Sequence, residues 1–407
     1  MSGQEPFGFT SALEQDTRLA WSRAFQDQNE AMNKPWFFLF IFLTHLLQVS
    51  LAGATTNSAG MADTLDFTKL IPKTMPRTAM FQQPGWFLWD PCIIRGEDGG
   101  FYLFYSRWPT KLGYDAWCTH AEIAWAKATN AAGPYAFQGV ALATRGAGFW
   151  DGHAVFNPCV VSWHGHYYLY YTGNYGSSDW SSNRRIPADA PAWWVQRNHQ
   201  RIGVAVANRP TGPWQRPDKP LLDIDQGFGC TILNVPNIVI KPDGTWRIYY
   251  KTLTEGQGFF GGGVFHFEAD ADNPLGPFVP YAQPMIDKNK LMPQVGKPFR
   301  FHIDDHFEWI QDGRYYAIVK DHDAPFLTKF GRSLLLFESP DGRQWRPSAH
   351  VLVKDFSIHW EHGPVEHYSR LEMPKLLLTA GHPRILSLAA LPEGGDESFL
   401  VLVPLQP

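Results

Sequence analysis

Clusters of basic residues are missing from this chain. Only 18% of its residues are charged, and they sum to −4. A nucleic-acid-binding surface needs Lys and Arg gathered together, so nucleic-acid partners are excluded. Cysteine is scarce: Cys92, Cys118, Cys159 and Cys230, with no pair at metal-ligand spacing. Cys92 and Cys159 sit inside apolar strands and read as buried thiols; a disulfide through Cys118 stays open if the protein is exported. Sustained helical periodicity is lacking after residue 55. No Gly-x-Ser-x-Gly, P-loop or dinucleotide fingerprint occurs, which sets aside esterase, kinase and dehydrogenase chemistry.

What the chain has is aromatic residues: 15% of the total, with 17 Trp. Such enrichment suits a large β core, and also a site that stacks the apolar faces of sugar rings.

The one long apolar run, Trp36–Leu51, is short for a membrane span and contains His45 and Gln48. Lys34 precedes it and Ala52-Gly53-Ala54 follows as a small-x-small cleavage signal, so Met32 onward reads as a secretory signal peptide. Residues 1–54 are then an extension from an early start codon plus that signal. An uncleaved anchor, or a helical arm over Ser11–Ala31, is the alternative. The expected location is secreted or periplasmic, with no stable membrane insertion after cleavage. Residues 55–80 read as a polar linker with room for one closing strand, and 81–407 as the catalytic domain.

The domain is organised around Trp89-Asp90-Pro91-Cys92-Ile93-Ile94, the turn Asp98-Gly99-Gly100, and Phe101–Tyr105. Apolar and β-branched residues flank a turn able to take positive φ, the pattern of a hairpin. The module recurs at Asn157-Pro158-Cys159, Val235-Pro236-Asn237, Asp305-His306-Phe307 and, worn, at Met373-Pro374-Lys375. These openings are spaced 67, 78, 70 and 68 residues apart. Later strands recur as well, closing on Gly133-Pro134-Tyr135, Gly212-Pro213-Trp214 and Gly276-Pro277-Phe278. Five units of about four strands describe an all-β five-bladed β-propeller. A β-sandwich is the alternative, disfavoured by the regular Gly-Pro-aromatic turns.

In a propeller the first strand of each blade lines the central channel, and the residues heading those strands converge at one mouth. Asp90 and Asp305 would face each other there, a carboxylate pair of the kind glycoside hydrolysis uses. At these residues the chain resembles a known group. Trp89-Asp90-Pro91, the following Ser106-Arg107-Trp108 and the Gly-Pro-aromatic turns are similar to the five-bladed propeller glycoside hydrolases of families 43 and 117, over roughly residues 80–390. The resemblance implies Asp90 as general base. Family 43 also places an aspartate on blade two and a glutamate acid on blade three; here those heads are Asn157 and Val235, so that triad does not carry over, which favours family 117-like relatives.

Each candidate has a plainer role set against it. Asp90 as base competes with an Asx turn before Pro91. Asp305, with Asp304 beside it, would divide proton affinities as an acid or a tuning pair; otherwise one is solvated and the other caps a turn. Asp151 in Trp150-Asp151-Gly152 precedes blade two and would serve the site, or simply make an Asp-Gly turn. Glu372 heads blade five. Glu122 flanks blade one, with a rim salt bridge as its alternative. His302, three residues before Asp305, is the histidine with a site role. Trp89, Trp108 and Asn157 are candidate sugar contacts; Trp117, Trp150 and Trp180 are further stacking candidates, each more ordinary as core. Arg107, Arg201, Lys251 and Lys320 align at strand ends toward the mouth, for a sugar carboxylate or sulfate, or to pair with these acids. The insertion Tyr175–His199 is expected to wall the pocket and make the enzyme exo-acting. No cofactor is expected, and the resemblance leaves room for a structural calcium ion in the channel. The expected function is a secreted glycoside hydrolase, inverting, acting on oligo- or polysaccharide. A non-catalytic carbohydrate-binding propeller and a glycoside phosphorylase are the rivals.

Overall fold

A computed structural model describes residues 65–176, 180–224, 230–254, 263–286, 303–322 and 331–406. They form five antiparallel sheets, each a blade. Blade one comprises Trp86–Arg95, Phe101–Pro109, Glu122–Ala128 and Ala136–Leu142; blade two comprises Ala154–Trp163, His166–Asn174 and Arg201–Ala207. Blade three runs from Cys230–Ile240 through Trp246–Thr254 and Val264–Ala271 to Val279–Pro280, and blade four from Ile303–Gln311 through Arg314–Asp321 and Ser333–Ser339 to Arg346–Asp355. Blade five has Val365–Thr379, His382–Pro392 and Phe399–Pro404. The five inner strands touch in sequence around a closed ring.

Blade two has three named strands rather than four; bridges from Val206 to Gln215 and from Ile202 to Leu222 cover its outer edge. Among the described residues helix is confined to short turns and to Pro191–Asn198 inside the blade-two insertion. Pro191 opens that helix, where its missing N–H costs nothing. Among the described residues no helix is long and apolar enough to cross a membrane; Trp36–Leu51 lies outside them.

The stretch expected as a linker is structural from residue 65 onward. Met80–Phe81 pairs with the last strand, Met80 opposite Val401 and Phe81 opposite Leu400, and so completes blade five. Upstream, Asp66 caps the turn Phe67–Leu70, and the Phe67 ring is fully buried edge-on to Trp309 of blade four at 6.2 Å.

One feature repeats in every inner strand. Asp90, Asn157, Val235, Asp305 and Met373 have φ of 55, 53, 51, 45 and 55°. At each the pairing with the second strand skips, from Trp89 to Cys92, Phe156 to Cys159, Asn234 to Asn237, Asp304 to Phe307 and Glu372 to Lys375. These are β-bulges with a left-handed residue, which bend the strand and re-aim its side chains. Left-handed backbone is uncommon outside glycine and strained for a β-branched residue such as Val235. Its fivefold recurrence marks the bulge as part of the architecture.

The buried Phe67 contact separates anchor from linker. Phe67→Ala is expected to lower the unfolding free energy by about 3–5 kcal/mol, measured by urea denaturation; a linker residue would change it by less than about 0.5 kcal/mol.

Candidate active site

The bulges set a register around the mouth. Just before each left-handed residue stands Trp89, Phe156, Asn234, Asp304 or Glu372, and opposite them on the second strands stand Ser106, Thr172, Lys251, Lys320 and Ala389. The first four of these second-strand residues reach the next blade. The Asn157 backbone N–H donates to Ser106 Oγ at 3.0 Å, and that of Val235 to Thr172 Oγ1 at 3.1 Å. Lys251 Nζ donates to Asp304 Oδ1 at 2.5 Å, and Lys320 Nζ lies 3.0 Å from Glu372 Oε1. Blades one to three are thus joined by neutral hydroxyls, and blades three to five by ion pairs.

Asp90 belongs to the neutral half. Its Oδ2 accepts from Ser106 Oγ at 2.5 Å and from the Asn157 N–H at 3.2 Å, and its Oδ1 accepts from Asn157 Nδ2 at 2.9 Å. Asn157 in turn accepts from Thr172 Oγ1 at 2.9 Å. Burial pushes the Asp90 carboxyl above its ordinary range, against the pull of Ser106, the Lys375 charge and Asn157. Lys375, two residues past the blade-five bulge, crosses from blade five to donate to the Pro158 carbonyl of blade two. It is buried and puts a positive charge beside Asp90.

Asp304, Asp305, Glu372 and Lys320 come together in the charged half. Lys320 Nζ is 2.6 Å from Asp305 Oδ2, 3.0 Å from Glu372 Oε1 and 3.4 Å from Asp304 Oδ2. Burial would lower the Lys320 pKa, but Asp305, Glu372 and Asp304 raise it. Asp304 also pairs with Lys251, and Glu372 with Arg370 at 3.3 Å. Burial would raise both of these carboxyls; Lys251 and Lys320 hold Asp304 well below the usual range, and Lys320 and Arg370 bring Glu372 below its own. Asp305 differs. Burial, then the neighbouring Asp304 charge, pushes its carboxyl up to about 6 despite Lys320. Two adjacent carboxylates thus have divided proton affinities, one held well below the usual range and one raised to about 6.

Between blades five and one the bridging position is Ala389, and aromatic residues stand there. Tyr114, on the loop after the second strand of blade one, meets Trp89 edge-on at 5.5 Å, and the Arg370 guanidinium lies over its ring at 4.7 Å. Trp89 is therefore near the charged group through Tyr114 and Arg370.

Other candidates lie in separate clusters. Arg107 donates to Glu122 Oε1 and is sandwiched between the Trp86 and Phe137 rings at 4.1 and 4.5 Å, so Glu122 makes the salt bridge weighed against its site role. Ser106, and not Arg107, shares register with Lys251 and Lys320. Arg201 pairs with Asp223 at 2.7 Å. Trp108 is the exception: it is buried and stacked on Phe87 at 5.5 Å, and it also packs against Trp89 at 6.4 Å and edge-on to Tyr114 at 5.9 Å, so it backs the aromatic residues between blades five and one. Asp151 is fully buried, with Arg145 and Arg216 on its two oxygens and Tyr171 donating at 2.8 Å, as an anchor beneath blade two. Trp150 stacks on Tyr171 at 5.6 Å, and Trp180 lies flat between His153 and His120. His302 lies outside the described residues. Cys92, Cys118 and Cys159 are free buried thiols, so the Cys118 disulfide is not formed; burial pushes the Cys118 thiol up to about 12. Among the described residues no group of three or more His, Cys, Asp or Glu is arranged to hold a metal.

Sequence reasoning missed Lys375, Arg370 and Tyr114. Lys375 was within reach, since it aligns with Cys92, Cys159 and Asn237 two places past the bulge. Tyr114 sits in a loop, and no periodicity marks it.

No family model and no curated protein matches the chain. Solved structures match in fold. Zg3597, a family 117 glycoside hydrolase produced by the marine bacterium Zobellia galactanivorans, is 16% identical with a TM-score of 0.51, covering 82% of this chain and 89% of its own. BT0996, solved as an RGII complex, is 13% identical with a TM-score of 0.56, covering 84% and 93%. The inulosucrase from Halalkalicoccus jeotgali bound to kestose is 17% identical with a TM-score of 0.50, covering 82% and 81%. At these identities the likeness is one of fold, the five-bladed propeller described above.

The ion-pair group has a testable energetic signature. Lys320→Met removes the closest cation from Asp305 and leaves Glu372 with Arg370 alone in a buried site, and is expected to cost about 3–5 kcal/mol at pH 7. In the wild type the depressed carboxyls of Asp304 and Glu372 lose stabilisation as pH falls; in the variant the stranded carboxyls take up protons in the folded state and gain it. Urea midpoints measured from pH 8 to pH 4 should therefore converge. A constant gap would show that charge pairing is not what Lys320 supplies.

Proposed function

We propose that the chain is a glycoside hydrolase whose site is the mouth formed by the heads of blades one, four and five. The observation that carries this reading is the carboxyl arrangement: Asp304 ionised, Asp305 shifted to about 6, and Asp90 raised by burial at the equivalent head of blade one. Glycosidic cleavage needs one carboxyl that gives a proton to the leaving oxygen and another that assists from the opposite side.

Asp305 is the proton donor in this reading. Lys320 sits 2.6 Å from its Oδ2 and Lys251 4.0 Å from its Oδ1, which leaves Oδ1 the better seat for the proton. Asp90 is the base. Its Oδ2 takes two donors and its Oδ1 takes one, so Oδ1 keeps a lone pair for a water. Lys375 and Asn157 keep Asp90 available as a carboxylate by opposing its desolvation. Trp89 and Tyr114 supply apolar faces beside the mouth. Water attacking from the Asp90 side while Asp305 protonates the leaving group gives inversion.

The blade-two insertion is what supports the exo-acting part of this reading. Trp193 Nε1 donates to the Asp115 carbonyl at 2.9 Å and Gln196 Nε2 to the Cys118 and Thr119 carbonyls at 3.3 Å, so the helix closes over the blade-one loop on one side of the mouth. Export rests on the signal-like segment from Met32 to Ala54.

The test is hydrolysis of a panel of oligosaccharides and aryl glycosides by wild type, Asp90→Asn and Asp305→Asn. Each substitution should lower kcat by about 10²–10⁴-fold with binding kept. The wild-type kcat should fall as pH rises through about 6, where Asp305 loses its proton, and that limb should be gone from Asp305→Asn. Proton-NMR of the first product should show the inverted anomer. Sugar binding without turnover in every protein would favour the carbohydrate-binding reading instead.

A further inference from the structure

The inner strand of blade five carries a cation where other blades have none. Arg370, Leu371 and Glu372 pair in unbroken register with Leu391, Ala390 and Ala389. Side chains two apart on a strand share a face, so Arg370 stands on the same side as Glu372, two residues further from the bulge. The matching place holds Phe87 on blade one, Ala154 on blade two and Ile232 on blade three. On blade four it is His302, outside the described residues. Three blades thus close with an apolar residue at this point. Glu372 also has a nearer cation. Lys320 Nζ is 3.0 Å from its Oε1, whereas Arg370 Nη1 lies 3.3 and 3.4 Å from its two oxygens.

The charge count says what the extra cation is for. Asp304, Asp305 and Glu372 are set against Lys251, Lys320 and Arg370. With all three carboxyls ionised the group is neutral. With the proton on Asp305 that the proposed reaction requires, it carries one positive charge. That surplus meets solvent at Arg370, whose side chain is 35% exposed, against 13% for Lys251 and 3% for Lys320. The Arg370 guanidinium lies over the Tyr114 ring at 4.7 Å, and Tyr114 is itself braced edge-on against Trp89. Only Nη1 is bonded to Glu372. The other edge, Nε and Nη2, makes no hydrogen bond among the described residues and is not sealed from solvent. A guanidinium edge of this kind is a planar fork that fits the two oxygens of a carboxylate.

We propose that Arg370 selects a uronic acid: Nε and Nη2 hold the carboxylate of the sugar, Nη1 stays on Glu372, and Tyr114 backs the guanidinium. The proposal rests on the glycoside hydrolase reading above and names its substrate class. A bound carboxylate returns the group to neutrality in its proton-donating form. From Arg370 the contacts run through Glu372 and Lys320 to Asp305, so recognition of the charge and donation of the proton share one network.

The experiment is a glycan array carrying uronate-bearing oligosaccharides, their methyl esters, and sulfated and neutral oligosaccharides, probed with the full chain. Calorimetry and hydrolysis assays follow on the strongest uronate binder and its methyl ester. The strongest binder on the array should carry a free carboxylate, and esterification should weaken it by about 10–100-fold. Arg370→Gln should weaken the free acid by a similar factor and leave the ester within about twofold. Arg370→Lys, which keeps the charge and loses the fork, should fall between. If Arg370→Gln does not fold, the wild type still decides: its affinity for the free acid must fall as salt rises, and its affinity for the ester must not. An ester bound as well as its acid, a sulfated or neutral sugar as the best binder, or equal weakening of acid and ester by Arg370→Gln overturns the proposal. Uronate binding without turnover would sink the hydrolase reading alone, and turnover with no preference for the free acid would sink this proposal alone.

Discussion

A backbone constraint met five times underlies this molecule. Each inner strand carries one residue in left-handed conformation, and the bulge it creates bends the strand and re-aims the side chains beside it. Such a conformation costs of order 1–3 kcal/mol and persists only where the surroundings over-determine it. Here the surroundings are the second-strand residues Ser106, Thr172, Lys251 and Lys320, each reaching across to the next blade. The fifth position, Ala389, has nothing to reach with, and that joint is served differently: Ser387 Oγ donates to the Pro91 carbonyl at 3.3 Å, and the long Lys375 side chain spans the centre. Strain in the backbone and polarity at the centre are two sides of one design.

The change from hydroxyls to lysines makes the ring electrically asymmetric. Blades one to three meet through neutral hydrogen bonds, so Asp90 feels mainly burial. Blades three to five meet through ion pairs, and there the same degree of burial has opposite results for adjacent residues. Asp304 has two lysines close by and stays ionised, while Asp305 faces Asp304 and Glu372 as well as Lys320 and holds its proton to about 6. Sequence neighbours are separated in chemistry because the bulge falls between them.

The five heads were legible in the sequence because a polar or apolar residue before Pro, at nearly equal spacing, is the written form of the bulge; blade four, with His306 in place of the proline, kept the pattern through its aspartate. The pairing of Asp304 with Asp305 and the place of Lys320 followed from that alignment. Arg107 did not, and the reason is the period of two along a strand: Ser106 faces the next blade, so Arg107 faces the other way, directly across from Glu122. A shift of one residue separates a cation facing the next blade from one buried between two rings and paired with Glu122. Asp151 looked like a turn or a site residue, and its burial under Arg145 and Arg216 depended on loops distant in sequence. The helix in the insertion was hidden by brevity, since two turns give too little periodicity to read.

The pairing of Met80–Phe81 with Phe399–Pro404 carries a kinetic consequence. Four blades can be assembled from neighbouring hairpins as the chain emerges, but the fifth needs strands from opposite ends of the described chain. Its closure is the step with the greatest loop entropy, and contacts of such separation slow folding. The inner strands of blades five and one likewise meet across nearly the whole described chain, and that joint is what brings Lys375 toward Asp90. The charge environment of the mouth is therefore a property of the closed ring and not of any blade alone.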